Sequence, residues 1–166
     1  SIVVSDKKIA ITVSDDSVRP GTGGTCLDLM GDQIVPTDVI GTEYIVNKGD
    51  LNNGVNESVF IVATENFTTI TVQDNGGTIQ NILNQGDTWR ASIDEQLTYV
   101  QSDKNIYVLH MSGYGCELGE AILPPINCAG SDQVSFSRTN GRPYSLNVIC
   151  SAGSEGNFLV NGNATI

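Results

Sequence analysis

The chain has 166 residues, a length that suits one domain of ordinary size or two small ones with a buried core. Its 18 glycines, with many Thr, Ser, Val, Ile and Asn residues, predict an all-β fold. The 8 basic and 19 acidic residues give a net charge of −11, which opposes binding to nucleic acid and to anionic membrane surfaces. Because no apolar run approaches the roughly 20 residues that span a bilayer, we also expect no direct membrane insertion.

The first predicted strand is Lys8–Ser14, in which apolar and polar residues alternate. Such alternation is typical of a strand with one buried face. The acidic pair Asp15–Asp16 and the Gly-rich residues 20–24 are predicted to end this strand in a turn. Residues 26–41 are predicted as a connection, and the next strand is Thr42–Val46.

The middle of the chain is predicted as short strands joined by turns. Ser58–Ala63 is a nearly continuous apolar run, which indicates burial on both faces. In Thr68–Val72, residues Ile70 and Val72 are expected to face the core, and Asp74–Gly77 (DNGG) is a strong hairpin signal. Strands at this spacing favour a β-sandwich or a barrel-like relative. The remaining predicted strands are Thr78–Leu83, Asp87–Ile93 and Leu97–Gln101.

One stretch of the sequence occurs twice. SDKKIAITVS at Ser5–Ser14 matches SDKNIYVLHM at Ser102–Met111 at a constant offset, 102 − 5 = 97. Further along, Ile34–Val46 is similar to Ile122–Phe136. A repeated residue is more often structural than catalytic, so the duplication is considered before any residue is given a chemical role. It predicts that Lys8–Ser14 and Asn105–Met111 are equivalent strands.

A looser match between Ser58–Val72 and Tyr144–Val160 extends the duplication. The sequence therefore predicts tandem related β-sandwich-like units of short antiparallel strands. We expect residues 1–40 to be the end of a preceding unit plus a linker, 41–125 a complete β unit, and 126–166 the start of a second related unit. On this interpretation the chain is a segment of a longer protein.

The four cysteines are Cys26, Cys116, Cys128 and Cys150, and they lack the C-x-x-C spacing of zinc or thioredoxin-like sites. An even number in a Gly-rich β chain favours an oxidising compartment and disulfides, with buried free thiols as the alternative. Three pairings are possible. We favour Cys26 with Cys116, which both precede the repeated IVP and ILPP segments, and Cys128 with Cys150, which flank one predicted strand pair.

His110 is the only histidine, and it would be the starting point for any catalytic interpretation. The duplication places it where the first copy has Val13, inside an alternating strand. A lone histidine on such a face is more often a hydrogen-bonded core residue, so we expect no catalytic site. On this reasoning, His110→Val is expected to leave the fold intact and even slightly more stable.

Oxygen-rich loops make calcium a possible cofactor, because hard cations prefer carboxylate and carbonyl ligands. The segments do not match the full D-x-[DN]-x-[DN]-G pattern, and Asp and Asn are also ordinary turn residues. We therefore expect no cofactor, with calcium as a weak alternative. The candidate ligands are Asp15, Asp16, Asp50 and Asn52.

Four segments in order carry a resemblance to a known family: GTEYIV from Gly41, SVFIVATENFTTITV from Ser58, LNQGDTW from Leu83, and YVQSDKNIYVLHMSGYGCELGEAILPP from Tyr99. Together they resemble the N-terminal domain family named after the IgG Fc-binding protein, as found in large cell-surface proteins of Bacteroidetes. A proline that usually follows SDK is replaced here by Lys8 and Asn105.

The resemblance implies a noncatalytic structural or adhesive module of a large secreted or surface-exposed bacterial protein. Its partners would be other domains of the same polypeptide and a surface glycan or protein ligand. The alternatives are a carbohydrate- or protein-binding domain with a defined pocket, and an accessory domain of a secreted hydrolase. In addition, Asp16-Ser17-Val18 resembles the D-[ST]-apolar motif that Bacteroidetes glycosylate, which makes Ser17 a glycosylation candidate.

Aromatic side chains are the expected contacts of a binding surface, because they offer a large face to a sugar or a protein. The alternative for Trp89 is packing in the core or at a sheet edge. The aromatic residues that we expect to be exposed are Tyr44, Trp89, Tyr99, Tyr107, Tyr114 and Tyr144.

Overall fold

The computed structural model describes residues 3–18, 27–51, 57–115, 117–131, 133–137, 141 and 146–164. The chain divides into two compact units, Ser1–Asp132 and Gln133–Ile166. Among the described residues the regular structure is strand and short 3-10 turn, which confirms the predicted all-β class. The strands are β1 Ile11–Val18, β2 Asp28–Ile34, β3 Gly41–Asn47, β4 Asp50–Leu51, β5 Glu57–Ala63, β6 Thr68–Asp74, β7 Gly77–Leu83, β8 Thr88–Ile93, β9 Leu97–Gly115, β10 Glu117–Ile122, β11 Leu159–Val160 and β12 Asn163–Ala164.

The first unit is organised around β9, which is 19 residues long. Its first half pairs with β3 and β6, and its second half pairs with β5 and β10. Strand β7 adds to β6 and β8 adds to β5, which gives the order β7-β6-β9-β5-β8. The short β4 runs parallel to the end of β9. One nearly closed, barrel-like sheet results, because a single long strand belongs to both halves.

The core fills the space that this curved sheet encloses. Along β9 the residues Val100, Ile106 and Val108 are fully buried, and they pack with Val59 and Ile61 of β5. Trp89 is partly buried against the same cluster. Complete burial of one such aliphatic side chain contributes about 1.5–3 kcal/mol to folding. The core therefore depends on strands that are distant in sequence and meet through β9.

β9 changes its partners at residues 102–105, where the predicted strand Leu97–Gln101 has ended and the predicted strand Asn105–Met111 begins. Gly41 of β3 pairs with Ile106, whereas Glu43 pairs with Gln101, so the register shifts at this point. Asp103 accepts a hydrogen bond from the Thr69 amide at 2.8 Å. The Lys104 ammonium donates to the carbonyl of Asn66. The repeated Ser-Asp-Lys sequence therefore does not end a strand. It forms a bulge within β9 that is hydrogen-bonded to the β5–β6 turn and to the start of β6.

The N-terminal strand differs from its prediction in both position and burial. β1 begins at Ile11 and continues through Asp15 and Asp16, with a register irregularity between Asp15 and Val18. Its partner β2 lies in the stretch predicted as a connection. The expected buried face is wrong, since Ile9 is 51% exposed and Val13 55% exposed. Among the described residues β1 pairs with β2 alone, in a two-stranded sheet outside the main core.

The two copies of the duplicated sequence form the same kind of strand pair. In β1–β2, Ser14 pairs with Gly31, and in β9–β10, Ser112 pairs with Gly119. The segments GDQIVP and GEAILP relate Gly31 to Gly119, whereas the offset of 97 relates Ser14 to Met111. The two pairs therefore differ by a one-residue shift in register, which exchanges the faces of a strand. The tandem arrangement of complete units stays a prediction.

The second unit contains β11 and β12, which pair with each other, and a 3-10 turn at Glu155–Asn157. The residues of Leu146–Cys150 are exposed and belong to no strand. The predicted division at residues 40 and 125 stays a prediction.

Candidate functional site

A buried acid and a buried histidine lie on neighbouring strands of the main sheet. Glu57 is the first residue of β5, and His110 lies in the second half of β9. Oε2 of Glu57 is 3.1 Å from Nε2 of His110. Glu57 is fully buried, and His110 is 8% exposed. A buried carboxyl group is tolerated only where hydrogen bonds replace its hydration, so its other contacts decide its role.

Glu57 also binds the backbone of the segment that joins β3 to β4 and of β4 itself. Its Oε2 accepts a hydrogen bond from the Gly49 amide at 2.8 Å, and its Oε1 accepts one from the Leu51 amide at 3.3 Å. A Cβ atom added at Gly49 would lie 2.3 Å from Oγ of Ser112 and 3.0 Å from Oε1 of Glu57. Only glycine allows this close approach. The carboxyl group therefore fixes the backbone at residues 49–51 against β5 and β9.

Burial lowers the pKa of His110, while the charge and hydrogen bond of Glu57 act in the opposite direction. The lowered pKa favours the neutral ring near pH 7. A neutral ring can donate one hydrogen bond from Nε2 to the carboxyl group. The pair joins β5 and β9, which is the hydrogen-bonded core role that the duplication predicts for this histidine.

A shallow groove open to solvent lies beside this pair, over the hydrogen-bonded strands β9 and β10. Small residues form most of its surface, because Ser112 of β9 pairs with Gly119 of β10, and Gly113 and Ala121 also line the groove. A Cβ atom added at Gly119 would have no heavy atom within 4 Å. The groove can therefore accommodate an external group. Its lining residues are His110, Ser112, Gly113, Gly119, Glu120 and Ala121.

Acidic side chains of β2 cover the outer edge of β10. Oδ2 of Asp28 accepts a hydrogen bond from the Leu118 amide at 2.8 Å, and Oδ2 of Asp32 accepts one from the Ile122 amide at 2.7 Å. These carboxylates take the place of backbone carbonyls along a strand edge, which would otherwise present free N–H groups. Burial, followed by the charges of Asp32 and Asp15, raises the pKa of Glu120. One side of the groove is therefore strongly acidic.

The candidate calcium ligands do not form a cluster in the described part of the chain. Asp15 and Asp16 are exposed, and Oδ1 of Asp15 accepts a hydrogen bond from the Ser17 amide at 3.2 Å. Asp50 is exposed on β4, and Asn52 lies outside the described residues. Within the described ranges, no group of three or more His, Cys, Asp or Glu residues could hold a metal ion. Ser17, the glycosylation candidate, is exposed within β1 and not in the predicted turn.

Two of the four cysteines are described. Cys128 and Cys150 are exposed and have free thiols in this structure, and their predicted pairing with each other stays a prediction. Cys128 ends a 3-10 turn, and Cys150 lies in the second compact unit. Cys26 and Cys116 lie outside the described residues, and their predicted pairing stays a prediction.

The aromatic residues do not share one exposed surface. Tyr44 is fully buried, which corrects its prediction as exposed, and Tyr107 is half-buried with its hydroxyl 2.7 Å from the carbonyl of Val35. Hydrogen bonding to Glu43 raises the pKa of Tyr99 to about 12. Tyr114 is 72% exposed, near the end of β9. Tyr144 lies outside the described residues.

Sequence reasoning missed Glu57, the residue that completes the buried pair. The residue directly precedes an apolar run that was predicted to be buried on both faces. A carboxyl group at the entrance to such a strand is a signal for a buried polar contact. The pairing of Glu57 with His110, which lies 53 residues further along the chain, has no local signal in the sequence.

The family model described as IgGFc binding protein matches residues 1–166, which is the whole chain. The chain belongs to the IgGFc binding protein family. This confirms the resemblance seen in the sequence motifs, and the family assignment covers both compact units. No curated protein and no solved structure gives a significant match to this member of the family. Within the described residues, no helix has the length and apolar character needed to cross a bilayer.

Proposed function

We propose that this chain is a noncatalytic binding module of a large secreted or surface-exposed bacterial protein, where it serves adhesion or assembly. Membership of the IgGFc binding protein family over residues 1–166 carries the proposal, because it supports an extracellular binding role. The net charge of −11 supports it further, since such a charge keeps an exposed protein soluble. Large surface proteins of Bacteroidetes, which contain similar motifs, are the proposed context.

The groove over β9 and β10 is the proposed ligand contact. Ser112 offers a hydroxyl group, and Gly119, its partner in the strand pair, leaves space for a ligand. A hydroxyl group beside small residues suits a ligand that forms hydrogen bonds. A surface glycan or a polar protein segment has this chemistry, and other domains of the same polypeptide are further partners. The acidic residues of β2 and β10 disfavour an anionic ligand.

The geometry of His110 supports the noncatalytic part of the proposal. Its Nε2 is occupied by Glu57, and both oxygens of Glu57 accept backbone hydrogen bonds. A general base needs a ring nitrogen within hydrogen-bond reach of the proton that it removes. A ring that is 8% exposed and bound to a structural carboxyl group is a poor candidate for this task. The proposed function requires no cofactor.

A binding experiment with one groove variant and one matched control tests the proposal. Gly119→Trp fills the groove, while Gly156→Trp adds the same side chain in the second unit. At both positions an added Cβ atom meets no heavy atom within 4 Å. We expect the wild-type chain and Gly156→Trp to bind members of a glycan array or a panel of extracellular proteins. We expect Gly119→Trp to lose at least about tenfold in affinity for the same ligands.

The thermal midpoints of both variants should match that of the wild type, which excludes unfolding as the cause. Absence of binding to both the glycans and the proteins would contradict the proposed function. Equal binding by Gly119→Trp and the wild type would show that the ligand binds elsewhere on the surface.

A further inference from the structure

We propose that residues Leu146–Cys150 accept the segment Ile9–Val13 of a second copy of this chain, in the antiparallel pairing that joins β5 to β9 within the first unit. Addition of a strand from another chain is a common mode of protein association, in which backbone hydrogen bonds give affinity and alternate side chains give specificity. The inference rests on the duplication, and it is independent of the groove.

The pairing of β5 with β9 is the template. Val59 pairs with His110, Ile61 with Val108, and Ala63 with Ile106. These residues alternate along β5, so their side chains share one face of the strand. All of them are buried, and Val59, Ile61 and Val108 are completely so.

Both strands of this template have counterparts elsewhere in the chain. For β5, aligning SVFIVA from Ser58 with SLNVIC relates Val59 to Leu146, Ile61 to Val148 and Ala63 to Cys150. If the new strand pair keeps the register of β5 and β9, three apolar cross-strand pairs form, and such pairs stabilise a sheet.

For β9, the offset of 97 relates His110 to Val13, Val108 to Ile11 and Ile106 to Ile9. The transferred pairs are therefore Leu146 with Val13, Val148 with Ile11, and Cys150 with Ile9.

The counterparts are exposed where the template residues are buried. Leu146 is 52% exposed and Val148 54% exposed in the second unit. In the donor segment, Ile9 and Val13 are 51% and 55% exposed, and Ile11 between them is half-buried. Two apolar rows that match each other in spacing are therefore both accessible to solvent. Their mutual burial would recover the contacts that the same sequence pattern makes inside the first unit.

The strand order around β1 also leaves room for the new partner. β9 lies between β10 on one side and β5 on the other, along residues 106–111. β1 has β2 on one side, in the position that β10 occupies beside β9. Among the described residues the opposite edge of β1 has no strand partner. The acceptor Leu146–Cys150 would take this free edge, as β5 does beside β9.

A second copy is the proposed source, because every copy presents both the donor segment and the acceptor segment with exposed apolar residues. Each copy would then carry one donor strand and one acceptor strand. Such contacts build open chains or rings of molecules, or a closed dimer where two copies exchange strands reciprocally.

Complementary variants test this pairing in the full chain. Val13→Asp removes the donor face and keeps the acceptor, whereas Val148→Asp removes the acceptor and keeps the donor. Val134→Asp, at an exposed apolar position outside the proposed pairs, is the control. Analytical ultracentrifugation over a range of concentrations gives the mass of each sample, and circular dichroism checks that each variant is folded.

We expect the wild type and Val134→Asp to form dimers and longer species as concentration rises. Each of the other two variants alone should stay monomeric at the same concentrations. Their equimolar mixture should form a dimer, because one intact donor then meets one intact acceptor. A wild type that is monomeric at every concentration would overturn the proposal, as would two variants that associate like the wild type or a mixture that stays monomeric.

Discussion

The phenol oxygen of Tyr44 lies 2.6 Å from the carbonyl oxygen of Ile106, although 62 residues separate them in sequence. The same oxygen accepts a hydrogen bond from the Gly41 amide at 2.9 Å. Tyr44 is fully buried, and burial raises its pKa. The contact fixes the start of β3 to the point where β9 changes its partners. The tyrosine of the GTEY motif is therefore a structural residue of the curved sheet.

Tyr44→Phe should retain the fold with lower stability. The change leaves a buried carbonyl and a buried amide without a hydrogen bond, which costs about 1–3 kcal/mol. Tyr114→Phe, at a position near the exposed end of β9, should change the free energy of unfolding by less than about 0.5 kcal/mol. Urea denaturation of both variants measures the difference. Equal stability of Tyr44→Phe and the wild type would contradict the role assigned to this hydroxyl.

Removal of Glu57 should destabilise the protein more than removal of its partner. Glu57→Ala leaves the ring of His110 and the amides of Gly49 and Leu51 without their acceptor, and each unsatisfied buried group costs about 1–3 kcal/mol.

His110→Val is expected to lower the free energy of unfolding by about 1–3 kcal/mol, because Glu57 keeps both backbone contacts. This replaces the expectation from sequence that valine here is neutral or stabilising. Chemical denaturation ranks the two variants, and a His110→Val protein as stable as the wild type would refute the paired role.

The buried histidine should make stability depend on pH. The pKa of His110 is lowered from 6.5, so the unfolded chain binds more protons than the folded chain between the lowered value and 6.5. The free energy of unfolding should therefore decrease as pH falls through this interval, and it should be largest above it. Denaturation at pH 7.5 and pH 5.5 measures the change.

In this experiment, the contribution of the neighbouring carboxyl groups to the pH dependence must be distinguished from that of the histidine. The groups that face this region are Glu57, Glu120, Asp32 and Asp15. The raised pKa of Glu120 has the opposite effect, because the folded chain then binds more protons as pH falls. His110→Gln keeps all four groups and removes the histidine titration. A pH dependence that is the same in this variant and in the wild type would assign the effect to the carboxyl groups.

The carboxylates of β2 should protect the edge of β10 from solvent. In a variant that carries Asp28→Ala and Asp32→Ala, the amides of Leu118 and Ile122 lose their acceptors. We expect faster hydrogen exchange at these two amides, with little change in the core of β5. Asp16→Ala, at an exposed position of β1, is the control and should exchange like the wild type. Unchanged protection at both amides in the double variant would contradict the edge-covering role.

Local patterns in the sequence were sufficient for much of the main sheet. The alternation of β6 and the DNGG turn between β6 and β7 have the predicted form, and β5 forms where its apolar run predicts a strand, with Phe60 and Val62 half-buried on one face. These elements depend on residues that are neighbours in sequence, and a strand with one buried face can be recognised from the alternation of apolar and polar residues. The resemblance to the family was also readable, since it rests on an ordered set of short motifs.

Features that depend on distant contacts were not readable in the same way. The sequence breaks β9 at Ser102–Asn105, and only contacts with β3, β5 and β6 show that the strand continues through a bulge. β2 lies in a stretch with only short apolar pieces, so the sequence predicts a connection there, although the strand has 7 residues. The exposed position of Ile9 and Val13 also depends on tertiary structure, because alternation cannot show whether a partner covers the apolar face.

The central claim is that this chain binds its ligand without changing it chemically. Mass spectrometry of the ligands recovered from the glycan and protein panels, after prolonged incubation with the wild type and with His110→Gln, tests this most directly. We predict that every ligand bound by the wild type is recovered intact. A hydrolysed or otherwise altered ligand that appears with the wild type, and does not appear with His110→Gln, would contradict the noncatalytic account.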